Sequence, residues 1–208
     1  MPGYFVHIAS ASEVIRTSKL GFKGLIAPDL WKKNTPTEYE YSQFFYDCSN
    51  APSYEQVKFL CSETHGGTHF GENASITNHA DFALIATLFA TRQLDIDNPF
   101  FKGYIHHLRV DKNFYSDSSI FNEVAFNHDY LKNIEMAKET LHNDWNKTNH
   151  SISQWYPEVR VMISSLPQRA QDIIQFKEGV PKYIELNKMH SFIETMRQLK
   201  SIDELLNG

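Results

Sequence analysis

The sequence predicts an all-α protein built as one domain, residues 1–208. Apolar residues recur at three- and four-residue spacing through most of the chain, as helices with one buried face require. Serine, threonine, asparagine and proline stand where such runs begin, and glycine and proline cluster between them. No repeat, low-complexity tract or composition shift marks a linker, and 208 residues suffice for one hydrophobic core.

Taken in order, Val6, Ala9 and Val14 share a helical period that predicts a first helix ending near Gly21. Gly24, Pro28 and Pro36 make the next stretch loop-rich by the usual breaker rules. A short helix follows from the cap Ser53, then the glycine-rich "THGGTHFGENAS", then a strongly helical run opened by Thr77 or Asn78. "NPFFKGYIHHLRVDKNFYSD" reads as a helix with Pro99 at its start. A long helical pattern covers "SIFNEVAFNHDYLKNIEMAKETLHNDW", with a break near Asn127. "VRVMI" alternates like a strand but equally suits a helix after Pro157, and the C-terminal region is amphipathic and helical.

The formal net charge of −5 and a pI near 6.0 carry no basic stripe, so a nucleic-acid partner has no support from charge. No basic start and apolar run mark a signal peptide, and "FALIATLFA" is too short to span a bilayer. The two cysteines, Cys48 and Cys61, form no CxxC and no disulfide framework. A cytoplasmic, reducing location is expected; the oligomeric state is open. Nucleophilic catalysis and nucleotide-loop chemistry lack their motifs: no G-x-S-x-G, Walker A or G-x-G-x-x-G string occurs.

Ten histidines offer the chemistry. His107 and Asp111 are four residues apart, so on a helix they share a face and could close on one ion, while His106 points about 100° away. By spacing alone the pair serves as well for a solvated helix face. His7 sits among apolar residues, as core histidines do, and Asp29 ends a Pro-Asp turn that suits a cap. His65 and His69 flank two glycines that could wrap toward an ion or form a surface loop.

Together, "YFVHIAS", "GFKGLIAPDLW", "THF" and "FKGYIHHLRVDKNFY" resemble, in that order, the zinc-dependent phospholipase C family and its small bacterial relatives. The likeness covers roughly residues 4 to 135. The family pattern is an early helical histidine, a Gly-x-x-Ala-Pro-Asp turn, a His-Phe pair and a Gly-Tyr-x-x-His-x-x-x-Asp helix. His7, Gly24 to Asp29, His69-Phe70 and Gly103 to Asp111 occupy those places.

The resemblance implies a multi-helix bundle of the zinc-dependent phospholipase C type and hydrolysis of a small phosphate ester. It implies that His7 and Asp111 serve one zinc ion, with Asp111 bridging to a second held by Asp29, His69 and His107. Such a pair of ions can clamp a phosphate ester and acidify a water, with Asp29 orienting that water or taking its proton. The family's third ion uses a later histidine and a His-x3-Glu pair. Here His128 and His142 have a suggestive spacing, but Asn146 stands where the glutamate belongs, and the later His-x3-Glu is His190 with Glu194. Two zinc ions are therefore expected and a third is open; N/O ligation also admits manganese or iron. Secreted members also use their own first residue as a ligand, and this chain begins "MPGYF". Related zinc nucleases keep a nuclease activity in view.

Two other readings compete. An HD-type metal phosphohydrolase would centre on His128-Asp129, with His79 or His107 before it and Asp144 or Asp172 after it. A non-enzymatic helical module would use the aromatics of "FFYDC", "NPFFKGY" and "SQWYPE" at an interface.

Overall fold

The computed structural model describes residues 3–31, 35–64, 87–91, 93–116, 120–122, 127–129 and 132–199. Helices make up most of the described chain, and no strand occurs among the described residues. The all-α expectation therefore holds. In order, the helices are α1 (Gly3–Ser10), α2 (Glu13–Thr17), α3 (Lys19–Leu30), α4 (Glu38–Phe45) and α5 (Tyr54–Thr64). They continue with α6 (Pro99–Ser116), α7 (Ile134–Trp155), α8 (Pro157–Ile163), α9 (Gln168–Gln171) and α10 (Leu186–Arg197).

The sequence writes most of these boundaries in cap chemistry. Thr37 and Glu40 form a reciprocal capping box on α4. Ser53 and Gln56 do the same for α5, with Gln56 N donating to Ser53 Oγ at 3.3 Å and Ser53 N to Gln56 Oε1 at 2.9 Å. Asn98 Oδ1 accepts from Phe100 N at 3.0 Å, and Pro99 takes the first position of α6, where its missing N–H costs nothing. Asn133 caps α7, and Pro157 opens α8, so "VRVMI" is a helix and not a strand.

Two expectations at the N-terminal end need correction. The first helix does not run to Gly21: it stops at Ser10, and Ser12 and Ser18, both extended, begin α2 and α3. Ser18 Oγ accepts the N–H of Gly21 at 3.2 Å, so a serine cap starts a new helix inside what the apolar period joined. The stretch after Gly21 is likewise helical as far as Leu30, with Pro28 inside its last turns, whereas Pro36 lies in non-helical chain ahead of α4.

The reason lies in packing. A Cβ on Gly24 would fall 2.1 Å from Phe100 O, and one on Gly103 would fall 2.1 Å from Gly21 O. These glycines let α3 and α6 cross backbone against backbone, an approach that any side chain would block. Their cost in helix propensity, about 1 kcal/mol each, is offset by contacts available only at that range.

α1 is the central helix. Tyr4 to Ser10 are all buried, and α1 packs against α3, α6, α7, α8 and α10. Eight residues would not hold a helix in water, so α1 owes its stability to this enclosure. Arg197 of α10 donates from Nε to Ala9 O at 2.6 Å, satisfying one of the last carbonyls of α1.

The aromatics offered as an interface mostly fill the core: Phe44, Phe45, Phe100, Phe101, Tyr104 and Tyr156 are buried, while Tyr46 and Trp155 are exposed. Asp144 of α7 accepts from the N–H groups of Lys182 and Tyr183, fixing the segment before α10. Among the described residues no helix is long and apolar enough to cross a membrane.

Candidate metal centre

Three helices bring the candidate ligands together. His7 comes from the middle of α1, Asp29 from the last turn of α3, and His107 and Asp111 from successive turns of α6. His7, His107 and Asp111 are each 0% exposed. At that burial an imidazole or carboxylate needs a partner or an ion.

His107 is oriented by the close crossing itself. Its Nδ1 lies 2.7 Å from the carbonyl oxygen of Leu25 on α3, so Nδ1–H donates, and in the neutral tautomer this selects the lone pair is on Nε2. Nε2 in turn faces Asp111 Oδ2 at 3.5 Å. An unprotonated ring nitrogen and a carboxylate oxygen are both acceptors, and a cation between them turns that approach from repulsive to attractive.

His7 repeats the arrangement from the other side. Its ring stacks on that of His107, centroids 3.6 Å apart and planes within 8°. Its Nε2 is 3.3 Å from Asp111 Oδ1, and its Nδ1 has no hydrogen-bond partner among the described residues. Burial first, then the neighbouring His107, lowers the pKa of His7, against a smaller upward pull from Asp111. The ring is thereby kept neutral, the form that ligates metals. Ligand atoms of His7, Asp29 and His107 all lie within 4.8 Å of one another.

This donor set fits a divalent transition ion. Two imidazoles and the Asp29 carboxylate supply three N/O donors, the number of protein ligands in an open zinc site, and Asp111 lies against both rings. The described residues thus provide for one ion. His69, assigned with Asp29 and His107 to a second, lies outside the described residues, as do His65 and His79.

Beside Asp29 opens a cleft of about 310 Å³. One face of α7 lines it with His142, Trp145, Asn146 and Asn149, at the spacing of a single helical stripe, and Tyr4 and Phe5 of α1 line it opposite. His142 is exposed, whereas Asn146 is buried, with its side-chain amide donating to Gln175 Oε1 at 3.3 Å. His142 belongs to no group of three candidate ligands among the described residues.

The remaining candidates sit elsewhere. His128 is exposed and 3.4 Å from Asp129, whose other oxygen accepts from Lys182 Nζ and the Tyr183 hydroxyl. Asp172 is exposed and bonded to Gln168. His190 and Glu194 share the hydroxyl of Tyr156. None of these arrangements gathers three donors.

Sequence reasoning missed the Leu25 carbonyl, because a backbone acceptor leaves no trace in residue type. It also missed the stripe of α7, which the i, i+3, i+4, i+7 spacing of His142 to Asn149 could have suggested. The fold and site thus define an all-α protein with a buried histidine–aspartate cluster of metal-ligating character. Comparison with protein-family models, curated proteins and solved structures finds no match to this chain.

Proposed function

We propose that this chain is a metal-dependent phosphoric ester hydrolase, related in type to the zinc-dependent phospholipase C pattern that its sequence resembles. One observation carries the reading: donors from three helices converge on one buried point, and one of them, Asp29, also lines a cleft.

His7, His107 and Asp29 would hold the ion, with Asp111 against both rings. A bound divalent ion such as zinc supplies positive charge that acidifies a water and offsets charge building on a phosphate ester. The chain's own residues do the rest. Burial holds His7 neutral, the Leu25 carbonyl fixes the tautomer of His107, and Asp111 aligns both rings. The Asp29 carboxylate, facing the cleft, is placed to orient a water there or to take its proton.

The cleft also bears on substrate class. About 310 Å³ accommodates a small ester and not a diacyl lipid, and its polar lining on α7 is amide and imidazole with no lysine or arginine. Phosphate charge would therefore be met at the ion.

The test is hydrolysis of bis(p-nitrophenyl) phosphate and p-nitrophenyl phosphate by protein loaded in turn with zinc, manganese and iron. Activity is expected to vanish on chelation, return on reloading, and be lost in Asp29→Asn. Failure to cleave either ester with any of the three metals would sink the hydrolase reading.

A further inference from the structure

The doubled histidine of α6 leaves one residue without a part in the centre. His106 is buried at 7% exposure, and its Nε2 lies 3.1 Å from the hydroxyl of Ser10, itself fully buried. Ser10 Oγ donates its single proton to the carbonyl oxygen of His7 at 3.1 Å. The hydroxyl therefore meets His106 as an acceptor, and the proton between them belongs to His106 Nε2. A continuous chain runs from His106 Nε2–H to the Ser10 hydroxyl and on to the backbone of His7.

Both ends of that chain adjoin the metal centre: His106 precedes His107, and the carbonyl is that of His7. We propose that His106 is a positioning residue that, through Ser10, holds α1 in the register that stacks His7 on His107. Arg197 grips Ala9 O in the same turn from α10, so the end of α1 is held from two sides. The proposal rests on the metal reading for what the stacked pair binds, but the positioning itself is a property of the metal-free protein.

Its test is therefore read first without metal. Ring-proton NMR resonances of His7 and His107 report their stacking through mutual ring-current shifts. In His106→Phe these shifts should collapse while the helical circular dichroism is retained. Ser10→Ala, which breaks the link without adding bulk, should do the same. His106→Gln, whose amide can donate to Ser10, should restore them. Unchanged His7 resonances in both His106→Phe and Ser10→Ala would overturn the proposal, as would a proton found on Nδ1 instead of Nε2 of His106.

Cobalt(II) titration of the same full-length variants then reads the consequence. Affinity should fall about tenfold or more in His106→Phe and recover in His106→Gln, as expected for a group that orients a ligand. A wild-type protein that takes up no cobalt would refute the metal reading, while the NMR result alone would still decide the positioning.

Discussion

Replacing Gly24 with alanine tests whether the backbone crossing of α3 and α6 holds the centre together. The new methyl would lie 2.1 Å from Phe100 O and 2.8 Å from Tyr104 N, where ordinary contact begins near 3.4 Å. To admit it the helices must part by about 1.3 Å, and both obstructing atoms are backbone, so no rotamer change relieves the clash. The 2.7 Å bond from His107 Nδ1 to Leu25 O bridges that same gap and would stretch beyond hydrogen-bond range. Losing a buried bond costs about 1–3 kcal/mol, and overpacking about 1–3 kcal/mol. Alanine returns about 1 kcal/mol of helix propensity. The net loss is about 1–5 kcal/mol, or roughly 2–20 °C in Tm for a chain of this size. Denaturant and thermal unfolding of the metal-free protein measure it, and cobalt affinity should fall with it. A variant as stable as wild type, or more stable by the propensity gain, would refute the close-crossing argument.

Three further outcomes are expected. Asp111→Asn gives His107 Nε2 a donor in place of a carboxylate oxygen, so metal affinity should drop by about tenfold or more while metal-free stability holds or rises; calorimetry with and without zinc separates the two. Asp129→Ala should leave metal content unchanged, because that carboxylate serves Lys182 and Tyr183, whereas Asp29→Ala should lower it; elemental analysis of both variants decides. Burial pushes the Cys61 thiol up to about 12, so the folded state keeps a proton that the unfolded chain releases above its ordinary range near about 8.5. Stability from this group is therefore full below that range and is lost as pH rises toward 12, by about 1.4 kcal/mol per unit. Cys61→Ala should flatten that alkaline limb in denaturant titrations; an unchanged slope would contradict the assignment.

What the sequence made legible was local chemistry. Pro99 and Asn98 marked the start of α6, Ser53 that of α5, and the helical turn of about 100° between His106 and His107 separated their roles. The approach of Asp111 to His7, far earlier in the chain, was legible only through resemblance, since spacing rules do not reach across a fold. Gly21 and Gly24 read as breakers because a glycine that permits close approach looks the same in sequence as one that ends a helix; only Gly103 on the facing helix distinguishes them. The break between α1 and α3 was hidden because apolar spacing continued across it, while the serine that caps α3 was the overlooked signal. The second polar partner of each buried histidine of α6, Leu25 O for His107 and Ser10 for His106, depends on how helices cross and carries no pattern of its own.

His7, His107 and Asp29, with Asp111 against both rings, are proposed to hold a divalent transition ion. Elemental analysis of protein purified without chelator, beside a His7→Ala variant, tests it most directly. At least one equivalent of zinc or a related metal is expected in the wild type, with a clear loss in the variant. No stoichiometric metal in the wild type, together with no uptake of added zinc or cobalt, would contradict it.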